Sequence, residues 1–218
     1  VLHSVDLDIL PGELVMLLGG TDAGKSSLLR AIAGLEEVSS GEIWIDDEDI
    51  TRNKPNKRRV GLMLQSYPLL PRMTVARNVS FGLRQHDVSS TLAQQTADQF
   101  LTLVGLNQFA QHMPRQLSLG QQQRAVLART LASGLRVNLL DEPFSAQDAQ
   151  RRETLIRIVR KQQQQSGTTT LIATRDRNQA MRHADRIALI RNGEIQQIGT
   201  PIDVYDAPAN RYVAEYMG

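Results

Sequence analysis

Leu14-Val15-Met16-Leu17-Leu18-Gly19-Gly20-Thr21-Asp22-Ala23-Gly24-Lys25-Ser26-Ser27 decides the fold. Five apolar residues in a row, ending at glycine, read as a strand buried on both faces, as in a parallel sheet. Gly19 to Ser26 fits G-x-x-x-x-G-K-[ST]. Glycines let a backbone wrap closely enough for its N–H groups to point at phosphate oxygens. The following segment, Ser27-Leu28-Leu29-Arg30-Ala31-Ile32-Ala33-Gly34, has helical character and a glycine stop. Such a helix offers unpaired N–H groups and a positive dipole end to an anion. Gly19, Gly20, Thr21, Asp22, Ala23, Gly24, Lys25, Ser26 and Ser27 are therefore expected to hold a nucleotide phosphate chain. Lys25 reaches the β- and γ-phosphates, and the Ser26 hydroxyl is a Mg²⁺ ligand. A carboxylate inside an anion-binding loop repels phosphate, so Asp22 must point outward or be neutralised.

Outward from that loop, short apolar runs recur: Val60 to Leu64, Val137-Asn138-Leu139-Leu140, Thr170-Leu171-Ile172-Ala173 and Arg186-Ile187-Ala188-Leu189-Ile190. Gly41-Glu42-Ile43-Trp44-Ile45-Asp46 reads as an exposed strand with a turn at Asp46-Asp47. Asn192-Gly193 signals a hairpin into Glu194–Ile198. Strands alternating with helices imply a mainly parallel α/β sheet. From about 66 to 135 the strand signals fade and helical periodicity takes over, as in Leu92–Val104 and Gly120–Leu131. The chain reads as one domain: a core of about 1–65 and 136–218, with a helical lobe of about 66–135.

Val137-Asn138-Leu139-Leu140-Asp141-Glu142 is an apolar strand ending in two carboxylates. Beside a phosphate loop, Asp141 is placed to hold Mg²⁺ directly or through water, and Glu142 to polarise the attacking water. Asn138 needs a hydrogen-bond partner if buried.

With 218 residues, 41% hydrophobic, the chain is long enough for one large domain or two lobes sharing a core. Aromatics are 4%, so aliphatic side chains must fill the interior. No apolar run reaches the roughly 18 residues of a membrane span. The first residues do not form a signal peptide. The absence of cysteine excludes disulfides, thiolate metal sites and a cysteine nucleophile, and fits a cytosolic protein. The formal charge of +2 leaves no nucleic-acid footprint.

With the phosphate loop and the acidic pair in hand, the order of three further motifs resembles the nucleotide-binding subunit of ATP-binding-cassette (ABC) transporters. The likeness is to importers of the sugar, polyamine, iron and sulfate group and covers essentially the whole chain. The fold the resemblance implies is α/β, a P-loop NTPase of ABC type. It has a mainly parallel sheet core, an antiparallel β part and an inserted helical lobe. Gln65 resembles the family's Q-loop glutamine, a contact for Mg²⁺ and the attacking water. Pro68-Leu69-Leu70-Pro71-Arg72-Met73-Thr74-Val75 looks like the stretch that faces the membrane subunit. Gln65-Ser66-Tyr67 to Gly82-Leu83-Arg84 is similar to polyamine importers in particular. Leu117-Ser118-Leu119-Gly120-Gln121 is similar to the signature motif. There Ser118, Gly120 and Gln121 are expected to close over the γ-phosphate held by the opposite subunit. Ser145-Ala146-Gln147-Asp148 resembles the D-loop at the dimer seam, with Asp148 beside the nucleotide. Gly199-Thr200-Pro201 through Val213-Ala214 is similar to the end of this group's catalytic domain.

Four features depart from the family. Arg175, in Ile172-Ala173-Thr174-Arg175-Asp176, stands where the switch histidine is usual. Arginine only donates and is always charged, so it stabilises phosphate charge but accepts no proton. Slowed hydrolysis is the expectation. Leu119 replaces the first signature glycine. Gly20-Thr21-Asp22 replaces Pro-Ser-Gly. Gln147 replaces an apolar D-loop residue. The aromatic residue that stacks on adenine lies upstream in the family, and no residue here is assigned to it. The sequence ends at Gly218, before the regulatory domain common in the group.

The resemblance implies an ATP-binding importer subunit using ATP and Mg²⁺ in a head-to-tail dimer with a second ATP-binding subunit. Hydrolysis is coupled to membrane permease subunits and, indirectly, to a solute-binding protein. The expected location is cytoplasmic, peripheral on the inner face of the cell membrane. Arg175 and Leu119 favour an alternative: a hydrolysis-impaired structural or regulatory partner in a heterodimer. A third reading, an ABC-type ATPase of DNA or translation, lacks the expected coiled-coil insertion or tandem cassette.

Overall fold

The computed structural model describes residues 1–218 apart from Tyr67, His86 and Asp87. Tyr67, part of the polyamine-like stretch, therefore lies outside the described residues. The chain divides into two compact units. The first comprises 1–62, 136–142 and 167–218; the second comprises 63–135 and 143–166. Residues 143–166, expected with the core, group with the helical lobe.

The first unit contains β1 (Leu14–Leu18), α1 (Lys25–Ala33), β2 (Trp44–Ile45) and β3 (Glu48–Asp49). A strand β4 (Val60–Met63) closes this stretch, ending one residue into the second unit. The second unit holds α2 (Val75–Arg84), α3 (Ser90–Leu103) and α4 (Leu119–Ala132). The chain returns to the first unit for β5 (Val137–Asp141) and leaves it for α5 (Ala149–Ser166). It ends in the first unit with β6 (Thr169–Thr174), α6 (Arg177–His183), β7 (Arg186–Arg191), β8 (Glu194–Gly199), α7 (Pro201–Asp206) and α8 (Arg211–Met217).

The main sheet has the order β4-β5-β6-β1-β7-β8. β5, β6, β1 and β7 pair in parallel, and β8 runs antiparallel to β7. Every residue of β1 is fully buried, as its unbroken apolar run requires. Val15 and Leu17 on one face join Leu28, Leu29 and Ala33 of α1 with Leu139, Leu171, Ala173, Ala188 and Ile190. Aliphatic residues thus make this core. Gly34 ends α1 in the left-handed conformation (φ 78°), the stop read from the sequence. The Asn192-Gly193 turn has φ of 49° and 79°, the geometry of a tight hairpin.

The exposed strand expected over Gly41–Asp46 is shorter. Only Trp44–Ile45 pairs, with Glu48–Asp49, around a turn whose Asp46 has φ 53°. Ile43 instead donates its N–H to Thr51 Oγ1 at 2.7 Å, a side-chain acceptor that a pairing pattern does not reveal. Asn138 is buried and sits beside Thr170 in the β5/β6 register. Its Oδ1 and the Thr170 Oγ1 both lack hydrogen-bond partners among the described residues, so the pairing that burial demands is not made.

In the second unit, α2, α3 and α4 pack on one another. Val75, Ala76 and Val79 of α2, Ala93, Ala97 and Leu101 of α3, and Ala125 to Ala128 of α4 are buried. Asn78 is fully buried there and fully used. Its Oδ1 accepts the Leu70 N–H at 2.7 Å, and its Nδ2 donates to the Leu70, Met73 and Thr74 carbonyls at 3.1 Å each. This one amide shapes the stretch that resembles the membrane-facing segment.

Candidate nucleotide site

The register of the first unit collects the predicted residues at one edge. Leu18, the last residue of β1, lies opposite Thr174 of β6 and Leu189 of β7, and Asp141 of β5 lies opposite Ala173. The residues that follow are Gly19, Arg175 and Glu142. All therefore leave the carboxyl ends of neighbouring parallel strands, where open α/β sheets bind ligands.

The loop's glycines have separate duties. A Cβ on Gly19 would overlap the Ile190 carbonyl oxygen of β7, so only glycine lets the chain leave β1 there. Gly24 has φ 106°, a conformation L side chains rarely adopt, with Leu2 and Gly193 close by. The hairpin tip braces the loop, since the Gly193 N–H donates to the Ala23 carbonyl at 2.8 Å. Asp22 is exposed with φ 58°, the outward placement its charge demands.

Lys25 is 7% exposed and its Nζ donates to the Gly19 and Gly20 carbonyls at 2.7 Å each. Burial lowers its pKa, as does the Arg175 charge, while Glu142, Asp141 and Asp22 oppose them. Asp141 is 2% exposed, and its Oδ1 has no hydrogen-bond partner among the described residues. A buried, unpartnered carboxylate oxygen beside a phosphate loop fits a hard divalent cation. Among the described residues, no group of three or more His, Cys, Asp or Glu could hold a metal. One carboxylate with a serine hydroxyl is the donor set that suits Mg²⁺ completed by phosphates and water.

Glu142 has φ 46° and anchors itself by donating its N–H to the Ala173 carbonyl at 2.9 Å. Burial raises its pKa; the Arg175 and Lys25 charges pull it down. Arg175 Nε donates to Glu142 Oε1 at 3.2 Å, and its Nη1 reaches Thr21 Oγ1 at 3.5 Å. Arg175 thus stands between the acidic pair and the phosphate loop.

Sequence reasoning missed Tyr216 of α8. Burial raises its pKa, the Glu142 charge adds to that, and a hydrogen bond with the Gly19 backbone opposes it. The Tyr216 ring lies tilted against that of Tyr212, with centroids 5.8 Å apart, and the Arg191 guanidinium lies over the Tyr212 ring. The only hint was two tyrosines four residues apart near the end of the chain, a spacing that names no partner.

The remaining predicted residues lie in the second unit. Gln65 is exposed in a turn after β4. Ser118 and Gln121 form a capping box on α4: Gln121 N–H donates to Ser118 Oγ at 3.3 Å, and Ser118 N–H to Gln121 Oε1 at 2.8 Å. Leu119 beside them is 62% exposed. Asp148 is exposed and accepts the Arg151 N–H at 2.9 Å, which starts α5. That bond comes first among the causes lowering its pKa.

The fold and the loop together define a phosphate-loop nucleotide-binding domain. More narrowly, the chain belongs to the ABC transporter family, whose model matches residues 2–145. The spermidine/putrescine import ATP-binding protein PotA of Pseudomonas fluorescens (strain Pf0-1) is 44% identical over 217 residues, covering 100% of this chain and 60% of the relative. The sulfate/thiosulfate import ATP-binding protein CysA of Nocardia farcinica (strain IFM 10152) is also 44% identical over 217 residues, covering 100% of this chain and 66% of the relative. The chain thus spans less than two thirds of the length of these relatives. A dimeric bacterial ABC transporter cassette superposes with a TM-score of 0.86 at 31% identity, over 92% of this chain and 90% of the other. A dimeric post-hydrolysis cassette bound to ADP and phosphate superposes with a TM-score of 0.85 at 30% identity, with the same coverage. Among the described residues no helix is long and apolar enough to cross a membrane.

Proposed function

We propose that this chain is the ATP-binding and hydrolysing domain of an ABC importer, peripheral on the inner face of the cell membrane. It works as one half of a head-to-tail dimer and drives membrane permease subunits that receive their solute from a binding protein. The observation that carries the reading is the strand-end cluster: a buried Lys25 on the phosphate loop, a buried Asp141 with a free carboxylate oxygen, and Glu142 beside them. Relatives named as import ATP-binding proteins favour this over a non-hydrolysing partner. At equal identity, one relative is named for a polycation and the other for a divalent anion. The solute is accordingly selected by other subunits.

Gly19 to Ser27 cradle the phosphates, with Lys25 leaving the loop carbonyls for the β- and γ-phosphates. Ser26 and Asp141 would hold Mg²⁺, which would supply charge neutralisation on the phosphates. Glu142 takes the hydrogen bond of the attacking water. Arg175 donates to the γ-phosphate oxygens and releases Glu142 as it does so. Ser118, Gly120, Gln121 and Asp148 serve the nucleotide of the opposite subunit. In this reading the Arg175 guanidinium slows turnover, because it competes for Glu142 and accepts no proton.

Phosphate release by the purified full-length protein tests this. Glu142→Gln should lower turnover by about 10²–10⁴-fold, the scale of a lost general base, with ATP binding retained. Undiminished turnover would remove Glu142 from the mechanism. Arg175→His should raise turnover, and an unchanged rate would show that the guanidinium imposes no penalty.

A further inference from the structure

Ser145-Ala146-Gln147-Asp148 and the first turns of α4 lie in the same unit and meet at close range. Gln147 is 7% exposed, and its amide nitrogen donates to the Gly120 carbonyl and to Gln123 Oε1, each at 2.8 Å. Gln123, fully buried, also accepts the Ala146 N–H at 3.2 Å and donates from Nε2 to Ser145 Oγ at 3.3 Å. Three consecutive D-loop residues are therefore bonded to two residues spaced i, i+3 on one helix face. The backbones also touch. A Cβ on Gly120 would lie 2.9 Å from the Ala146 carbonyl oxygen, closer than real side chains come. Arg152 Nη2 donates to the Gln147 carbonyl at 3.2 Å, and Asp148 caps α5, so the connection runs from α4 through the D-loop into α5.

The apolar residue usual at this D-loop position has no hydrogen to give either acceptor. Gln147 gives both of its amide hydrogens, in a buried setting where such bonds are stiff. Ser118 and Asp148, at the two outer ends of the network, are both exposed.

We infer that Gln147 is a positioning residue that fastens the D-loop to the signature turn, presenting Ser118 and Asp148 to a second ATP-binding subunit as one rigid surface. The inference rests on the reading that ATP closes a dimer across these two segments. With the fastening intact, the signature turn cannot dock on the opposite nucleotide without bringing the D-loop into place. With it broken, each must be ordered separately at the moment of closure.

The test uses full-length protein carrying Glu142→Gln, so that ATP persists, with and without Gln147→Leu. Three quantities are measured: ATP affinity of the dilute monomer, the ATP-dependent dimer dissociation constant by sedimentation, and amide hydrogen exchange over 119–123 and 145–148. Monomer ATP affinity should stay within about twofold. The dimer should weaken by about five- to tenfold, the scale of one or two net hydrogen bonds. Exchange should quicken in both segments together. Adding Gln123→Leu to the Gln147→Leu protein should cost less than it does in the parent, because the shared bond is already gone. A dimer constant within twofold of the parent overturns the inference, even with a lowered Tm, since that is what simple packing loss produces. A parent that binds ATP yet stays monomeric overturns the dimer reading, and the presenting role with it. Joint quickening of exchange in that monomer would then show the fastening as a purely internal brace.

Discussion

The phosphate loop and the signature–D-loop block are both close-packed functional segments, built in opposite ways. Around Gly19–Ser27 the constraints come from the backbone: a Gly19 with no room for a Cβ, a Gly24 at φ 106°, and a hairpin amide on the Ala23 carbonyl. Between α4 and the D-loop they come from side-chain amides, with Gln147 and Gln123 making four of the bonds. Backbone constraints dictate residue type and so leave a motif. Amide networks can be made or dispensed with at the same fold, and one substitution removes them.

The comparison breaks most easily at Gly19. Alanine there would drive its Cβ into the Ile190 carbonyl oxygen, which central strand β7 cannot move aside. Overpacking of this kind costs about 1–3 kcal/mol, and we expect the top of that range with ATP binding lost. Thermal unfolding and nucleotide titration of Gly19→Ala check it. A stable, ATP-binding variant would mean that the loop is less backbone-determined than its geometry indicates.

The second unit should lose nearly as much at a single amide. Asn78→Ala removes the amide partner of the half-buried Leu70 N–H and of the Met73 carbonyl, while the Leu70 and Thr74 carbonyls keep the Met73 and Asn78 backbone N–H groups. An unsatisfied buried polar group costs about 1–3 kcal/mol, and water entering the vacated space lowers the sum. We expect about 2 kcal/mol by denaturant unfolding, with faster hydrogen exchange across 70–74. Loss of stability without that local exchange would place the role of Asn78 in packing.

Gly120→Ala sits between the two styles. The 2.9 Å approach to the Ala146 oxygen is a backbone constraint, but Ala146 is half-buried between exposed Ser145 and buried Gln147, in a loop that can shift by a few tenths of an ångström. Alanine also gains about 1 kcal/mol of helix propensity over glycine. The two effects nearly cancel in stability, so the expected mark is on ATP-driven dimerisation, read by sedimentation. A clear loss of stability would show that the amide bonds from Gln147 and Gln123 hold the Ala146 carbonyl too firmly to move aside.

What could be read beforehand follows the same division. β1, β5, β6 and β7 announced themselves as apolar runs because parallel strands buried on both faces need no polar alternation. Lys25, Asp141 and Glu142 were legible because each follows such a run at a set offset. The grouping of 143–166 with the lobe was not legible, since α5 carries an ordinary helical pattern that does not name its neighbour. Gln147 read as a departure from the family, and only the distances to Gly120 and Gln123 show what the amide does. Tyr216 reaches Gly19 across nearly the whole length of the chain, a contact no local pattern encodes.

The smallest expected effect is the most discriminating, because it lies inside the loop itself. Gly20 stands next to Gly19 in the same motif, yet a Cβ there meets nothing within 4 Å, and its φ lies outside the range that strains L residues. Glycine at 20 is thus not required by the packing of the loop itself, whereas glycine at 19 is. Gly20→Ala should change stability by less than about 0.5 kcal/mol, as at other unencumbered surface positions. The residue 20 carbonyl still accepts from Lys25 Nζ, because no atom of Lys25 lies within 4 Å of the added Cβ. If ATP affinity also stays within about twofold, the loop's glycines divide into one that the strands demand and one that the phosphate tolerates. If affinity falls tenfold at unchanged stability, the space beside Gly20 is filled by nucleotide, and the residue is glycine for the ligand's sake.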